Sequence, residues 1–534
     1  MAYKLLQKKW LDDNNNTIWS FTSKKHKNNI LLKNRINNVQ IGDLLFTYQN
    51  QKIESYGRCI MNSKNGKDIQ VDSWTKFEYP LEVKPKPGIT SITDLNLLTK
   101  IHKLHKVYKL KRIKINNFRL FETLEINFNN DVNVIIANNG SGKTTILDAI
   151  AIAFGSMLTK FPTIQGINFE KKDLRLDKNN KYEPYMRIIL ESTENTLWDR
   201  IKKRDSTKKT ASDIPKAYGL KELYTFVDNI VDAENNNLKY NMPLVIYYKT
   251  NRAVFDAPLR KRNFKKSFNR FESLHRALVN DASFHRLFQW FDAMEDLERR
   301  ERDTRKSYSY VLPELQNVRD AIESMLPSFK NPRIEVRPLR FVIDWHKDDS
   351  TIQKLQIEQL SDGYRTVLAM VMDISARMSE ANPHLGNKSE AIILIDELEL
   401  HLHPKWQQTI LSDLRRTFPN AQFIVTTHSP HILSSIVKEK LFILQNAEIK
   451  EISFNTYGKP ANELLLNSFN LNYLRYPEID KKIEFLQDLL HKKDNIEETY
   501  NLKIQELEND IGKDDIDILK LKLEKLKRDK DAKN

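Results

Sequence analysis

A single cysteine, Cys59, stands among 534 residues, so the chain can form no internal disulfide and no thiolate metal cluster. A buried structural thiol in a reducing compartment is the role expected of it. Long apolar runs are also lacking. The longest, such as Ala391 to Ile395, fall far short of the ~20 residues a membrane-crossing helix needs. The first ten residues place Lys4, Lys8 and Lys9 around Leu5 and Leu6, with neither the apolar stretch nor the small-residue cleavage site of a secretion signal. A cytoplasmic protein with no membrane partner is therefore expected. Hydrophobic residues at 40% and charged residues at 29% exclude wholesale disorder. The length predicts about three or four structural units.

Acidic residues are in deficit. The chain has 86 Lys and Arg against 71 Asp and Glu, a net charge of +15, and residues 1–112 hold 21 basic and 9 acidic side chains, a local excess of +12. Such an excess is the footprint of a surface that meets DNA or another polyanion, although drift toward Lys and Asn would give the same count. Within residues 1–90, Val39 to Ile41, Leu44 to Tyr48 and Ile53 to Ile60 alternate with turn-prone clusters such as Asn14-Asn15-Asn16, the pattern of a small β-rich domain. Trp19-Ser20-Phe21-Thr22, Ile41 to Tyr48 and Ile53 to Cys59 resemble the PUA-like EVE family. That resemblance implies a small β-barrel whose aromatic pocket holds a flipped modified base; the same aromatics would equally fill a barrel core. Residues 91–110 read as a basic linker helix.

The strongest signal follows. Ile113 to Phe118 and Leu124 to Phe128 alternate as strands, and Val132 to Ile136 is a buried-strand run. It leads into Ala137-Asn138-Asn139-Gly140-Ser141-Gly142-Lys143-Thr144-Thr145, after which Ile146 to Leu158 has helical periodicity. Strand, glycine loop and helix in this order make a P-loop. The backbone N–H groups from Asn138 to Thr145 and the helix N-terminus offer donors to the phosphates of ATP. Gly140 and Gly142 allow close approach, Lys143 reaches the β- and γ-phosphates, and Thr144 ligates Mg²⁺. Ala137 replaces the first glycine of the usual pattern, one extra methyl group that leaves the cradle intact. Downstream, Ala391 to Ile395 is a buried strand ending in Asp396-Glu397, the arrangement of a Walker B site. Asp396 would hold Mg²⁺ through water, and Glu397 would orient or deprotonate the attacking water.

Two further runs select a class. Leu360-Ser361-Asp362-Gly363-Tyr364-Arg365 precedes a helix over 367–378 and resembles the ABC signature; Phe423 to Thr427 is a strand leading into His428-Ser429-Pro430, and His428 resembles the ABC switch histidine. In that class Ser361 and Gly363 face the γ-phosphate held by a second subunit, which implies a head-to-tail dimer with two ATP molecules at its interface. The run Leu394 to Gln407, then Phe418-Pro419-Asn420 and Thr426 to Pro430, resembles the soluble ABC ATPases of the RecF, SMC and OLD group. Pro243 to Arg252, Phe271 to Arg302, Val318 to Pro327 and Thr456 to Glu478 narrow the resemblance to antiphage ATPases typified by PtuA of Septu and its retron-associated relatives. It covers about residues 111–500. By this resemblance Arg119 lies close to the nucleotide, and Gln165 takes the Q-loop place that couples the γ-phosphate to the arms. Arg119 and Arg252 would equally make surface ion pairs, and His401 and His403 shape a dimer contact rather than bind metal.

Neither the two-Asp turn of a TOPRIM nuclease after His428 nor a His-Asn-His pattern occurs, so no cutting site is expected in this chain; the resemblance to the Septu and retron ATPases implies a separate HNH-type nuclease subunit that this ATPase restrains or licenses. A DNA-repair or chromosome-maintenance ATPase of RecF or SMC type is the alternative; the absence of a long heptad array argues against SMC arms. The expected fold is an α/β P-loop NTPase, the ABC ATPase head. Its lobes are 111–255 and 336–477, an inserted helical arm occupies 256–335, and a helical tail of one two-helix hairpin or an oligomerisation segment occupies 478–534.

Overall fold

Whether a strand is apolar throughout or alternates decides whether a sheet is covered on both faces or one, and this contrast separates the sheets of the protein. A computed structural model describes the strands within residues 3–91. From residue 108 it describes all but 139, 208–209, 211–213, 238–239, 251–263, 266, 280–283, 348–350, 451–453, 470–474, 492–496 and 532–534. The first strands are β1 (Tyr3–Gln7), β2 (Ile18–Ser20), β3 (Leu44–Gln49), β4 (Lys52–Asn62), β5 (Asp68–Val71), β6 (Thr75–Glu82) and β7 (Thr90–Ser91). They form one sheet in the order β2-β5-β4-β3-β1-β7, with β6 paired to β4. Val39 to Ile41, the aromatic side chains of this region and residues 92–107 lie outside the described residues, as does Arg252.

Next come β8 (Leu110–Phe118), β9 (Phe121–Asn127), β10 (Val132–Ala137), α1 (Lys143–Leu158), β11 (Tyr185–Ser192), β12 (Leu197–Lys203), α2 (Lys221–Asn235) and β13 (Leu244–Tyr248). They are followed by α3 (Phe284–Arg305), α4 (Pro313–Met325), β14 (Phe329–Val336), β15 (Leu339–His346), β16 (Ile352–Gln356) and α5 (Asp362–Ala381). The chain then forms β17 (Ala391–Ile395), α6 (Ile410–Thr417), β18 (Gln422–Thr427), β19 (Leu441–Gln445), β20 (Glu448–Lys450) and α7 (Ala461–Phe469).

The central sheet has the order β13-β17-β18-β10-β19-β20, its first five strands parallel. β10, β13, β17 and β18 are buried at every position, which is why they read as continuous apolar runs; each fully buried Ile, Leu or Val contributes about 1.5–3 kcal/mol. A second, antiparallel sheet has the order β12-β11-β8-β9. In β9 only Phe121, Leu124 and Ile126 are buried, the alternation of a strand with one wet face. Gln422 of β18 joins the two sheets. Its amide accepts from the Leu110 N–H at 2.7 Å and donates to the Leu110 and Asn129 carbonyls at 2.7 Å each, so a buried strand start is fully satisfied. The third sheet is β14-β15-β16.

Two organisational expectations change. Where the inserted arm expected over 256–335 is described, α3 is packed rather than free: Leu287, Phe288, Trp290 and Phe291 are buried in the main core. The boundary at 335/336 also cuts the β14–β15 hairpin, in which Val336 pairs with Leu339. Among the described residues the tail has three helices, α8 (Pro477–His491), α9 (Glu497–Ile511) and α10 (Ile516–Asp531). They share a core of Leu486, Leu490, Tyr500, Leu507, Ile518 and Leu521. The acidic surroundings of Tyr500, Ile504 and Leu507 hid the middle helix from a search for apolar periodicity.

Candidate nucleotide-binding site

In a parallel sheet, ligands gather beyond the carboxyl ends of the strands. Here that edge carries the loop after β10, Asp396-Glu397 after β17, and His428 after β18. Because β18 lies between β10 and β17, neighbouring strands set the P-loop and Asp396 roughly 10 Å apart with His428 between them. Side chains then close the gap.

The loop itself is shaped by Gly140 (φ 77°) and Gly142 (φ 99°), a left-handed backbone that glycine adopts without strain. Gly142 has a second reason: a Cβ there would lie 2.6 Å from Leu120 Cδ2 and 2.9 Å from Phe121 Cζ, so the β8–β9 turn sits against the loop. The Leu120 side chain, 37% exposed, is an apolar surface at the loop that sequence reasoning passed over. The N-terminus of α1 has no side-chain cap and no acid in its first turn, which leaves its N–H donors to an anion. Asn138 contributes its carbonyl, which accepts from the Ser141 N–H at 3.3 Å; Asn139 lies outside the described residues. Thr145 is turned into the fold, 7% exposed.

Lys143 is 6% exposed. Its ammonium donates to the Ala137 carbonyl at 3.0 Å and to His428 Nε2 at 2.5 Å. Burial holds the Lys143 pKa below its usual value, although Asp396, Glu397 and Glu399 pull the other way. Burial and then Lys143 likewise depress His428, so the imidazole is neutral at pH 7, and accepting at Nε2 places its proton on Nδ1. Thr144 Oγ1 donates to Asp396 Oδ2 at 2.7 Å and Thr426 Oγ1 to Asp396 Oδ1 at 2.6 Å, so both oxygens of this 2% exposed carboxylate are held. The Glu397 N–H donates to the same Thr426 hydroxyl at 2.8 Å, and Glu397 takes a positive φ of 46°. The chain thus turns sharply off the strand end.

Glu399 was missed as a supporting residue. Its Oε1 accepts the His428 N–H at 2.5 Å, while its Oε2 is buried without a hydrogen-bond partner among the described residues. Beyond His428, Ser429 Oγ accepts the N–H groups of His431 and Ile432, with Pro430 in the first turn; this cap fixes the exit of the chain.

Other expected residues lie elsewhere. Ser361 is the exposed N-cap of α5, and Gly363 borders the turn after Glu397: a Cβ on Gly363 would lie 2.6 Å from the His401 carbonyl oxygen. Tyr364 stacks edge-on against Trp406 at 4.3 Å. The signature segment therefore touches the 401–406 region of its own chain. Backbone oxygen cannot move aside as a flexible side chain can, so Gly363→Ala is expected to destabilise the fold by about 1–2 kcal/mol, helix propensity notwithstanding. Urea denaturation reads this, and an unchanged or higher midpoint would contradict it. Arg119 is engaged in the fold, its guanidinium pairing with Asp148 on α1 at 2.7 Å and with Asp173 at 2.9 Å. Gln165 is exposed and is not brought to the loop. Gly155 and Gly166 pack backbone to backbone, folding residue 165 beside the far half of α1, roughly 18 Å along the helix from Lys143 at 1.5 Å per residue.

No group of three or more His, Cys, Asp or Glu among the described residues is arranged to hold a metal. The donors present, the Thr144 hydroxyl and the Asp396 carboxylate, are hard oxygens. They fit Mg²⁺, which takes one or two protein oxygens and fills its shell with phosphate oxygens and water.

A family model described as an AAA domain matches residues 112–330. The chain is 28% identical over 489 residues to the Retron Ec83 probable ATPase of Escherichia coli, covering 78% of this chain and 86% of that protein. It is 29% identical over 393 residues to the Retron Vc95 probable ATPase of Vibrio cholerae serotype O1 biovar El Tor, covering 62% and 73%. Over 132 residues it is 35% identical to the Septu protein PtuA of Bacillus mycoides, covering 24% of this chain and 18% of that one.

Proposed function

We propose that this chain is an ATPase that closes into a head-to-tail dimer on ATP, and that its nucleotide state restrains or licenses a separate HNH-type nuclease in antiphage defence. The observation that carries the reading is the chain Thr144–Asp396–Thr426, which ties the P-loop helix, the strand-end carboxylate and the strand of His428 into one site. Relatives named as retron ATPases and a Septu protein support the defence assignment, because they carry the names of the branch that the sequence resembles.

In this reading the uncapped N-terminus of α1 and the loop amides bind the phosphates, and Lys143 leaves the Ala137 carbonyl to meet them. Mg²⁺, held by Thr144 and Asp396, supplies charge neutralisation to the phosphates when bound. Glu397 orients the attacking water and takes its proton. His428, whose backbone N–H donates to Glu399, would meet the γ-phosphate. Ser361, the exposed N-cap of α5, and Gly363, which borders the His401 carbonyl of its own chain, are left to reach the nucleotide of the second copy.

The basic excess of residues 1–112 supports a polyanion as the signal that the ATPase reads. The test is phosphate release by the full chain with Mg²⁺, with and without double-stranded DNA, across a salt series. Expected is turnover that DNA changes, by an amount that falls steeply with salt. No phosphate release under any condition would sink the ATPase reading; release indifferent to DNA at low salt would remove DNA as the signal.

A further inference from the structure

Successive residues of a strand face opposite sides of its sheet, and at the end of β13 two tyrosines do so. Tyr247 Oη donates to Asp148 Oδ1 on the P-loop helix α1 at 3.1 Å. Tyr248 Oη donates to Asp373 Oδ2 on α5, the helix that begins at the signature segment, at 2.7 Å. Both tyrosines are 2% exposed. The backbone of Tyr248 is equally engaged, because its carbonyl accepts the Asp396 N–H at 2.8 Å.

From these contacts we propose that Tyr248 is a positioning residue that fixes the alignment of Asp396 by the position of the signature helix. The inference rests on the ATPase reading above. Its physical basis is that one residue holds the Walker B backbone with its carbonyl and α5 with its phenol. The far end of the linkage is also anchored. Arg377, 1% exposed, donates from Nε to Asp373 Oδ2 at 2.8 Å and from Nη1 to the Ser273 and His275 carbonyls at 2.6 and 3.1 Å. Burial and then Asp373 raise the Tyr248 pKa well above its ordinary value, so the phenol stays a donor at every working pH. A displacement of α5 by a second copy engaging Ser361 would therefore pull on the residue whose carbonyl holds Asp396.

Tyr247 is the internal comparison, and charge decides the difference. Asp148 keeps two cations without Tyr247, Arg119 at 2.7 Å and Lys249 at 3.0 Å. Among the described residues Asp373 has the single close cation Arg377, and its Oδ1 lacks any hydrogen-bond partner. Losing the phenol of Tyr248 removes one of two bonds to a buried carboxylate; losing that of Tyr247 removes the weakest of three.

The test measures ATP affinity and turnover of the full chain for Tyr248→Phe, Tyr247→Phe, Asp373→Asn and the double variant Tyr248→Phe/Asp373→Asn. Tyr248→Phe is expected to lower kcat about tenfold, the size of one lost hydrogen bond to a buried charge, with ATP affinity unchanged. Tyr247→Phe is expected to change kcat less than about twofold. The double variant should be no slower than the slower single variant, since both remove one linkage. Equal effects of the two tyrosine variants, a loss of affinity in place of kcat in Tyr248→Phe, or multiplied losses in the double variant would each overturn the proposal. If Asp373→Asn does not fold, the contrast between the tyrosines and the split between affinity and kcat still decide it. A wild-type chain without turnover would instead overturn the ATPase reading itself.

Discussion

Replacing Lys143 with alanine is expected to lower ATP affinity by at least about two orders of magnitude while leaving the fold in place. The reason lies in what surrounds the ammonium. Asp396, Glu397 and Glu399 all act on Lys143, so removing its ammonium leaves incoming phosphates facing three carboxylates. The charge-assisted bonds lost are worth about 1.5–3 kcal/mol each, and every 1.4 kcal/mol is about tenfold in affinity. The empty protein is expected to keep its fold, because the Ala137 carbonyl and His428 that meet Lys143 are held by the ends of β10 and β18, and the left-handed loop geometry belongs to Gly140 and Gly142. Calorimetric titration with ATP reads the affinity directly. Thermal unfolding gives an independent check: ATP at ~100 times its dissociation constant should stabilise the wild type by about 2.7 kcal/mol and the variant hardly at all. A variant that still binds ATP within threefold of wild type would remove Lys143 from the site.

The parts of this site differ sharply in how well sequence exposes them. The P-loop, Asp396-Glu397 and His428 are each local: a buried-strand run marks a strand, and the polar residues after it mark its carboxyl end. That they meet depends on strand order, with β18 between β10 and β17, and parallel strands so far apart in the chain leave no register signal in their apolar runs. Tyr248, Asp373 and Glu399 were beyond reach for a related reason. A tyrosine closing an apolar strand and an aspartate inside a helix look like ordinary core and surface choices until the two elements are packed together. Gln165 shows the converse error. The resemblance gave it the Q-loop place near the γ-phosphate, whereas Gly155 and Gly166 pack backbone to backbone and fold its loop to the far end of α1. A signal was present, since a glycine inside a helix costs about 1 kcal/mol relative to alanine and often marks close approach by another backbone. Likewise the periodicity of α3 was legible and its destination was not: the same apolar face serves a free arm or a core helix.

Glu397→Gln is expected to bind ATP as tightly as the wild type and to hydrolyse it about 10²–10⁴ times more slowly, the range for loss of a positioned general base. The substitution is nearly isosteric and leaves every contact that shapes the turn. The Glu397 N–H still donates to Thr426 Oγ1, the Leu398 N–H to the Thr426 carbonyl at 3.0 Å, and both Asp396 oxygens keep their hydroxyl partners. The carboxylate's charge and its ability to take a proton are removed. ATP then persists in the site, and in a head-to-tail dimer whose opening needs hydrolysis the variant accumulates closed. Light scattering with ATP and Mg²⁺ should show twice the monomer mass for Glu397→Gln and a return to monomer for the same variant carrying Lys143→Ala. The two substitutions thus separate binding from chemistry on the same pair of strands. Wild-type turnover in Glu397→Gln would deny the carboxylate its base role, while lost turnover without ATP-dependent association would keep the base and discard the dimer.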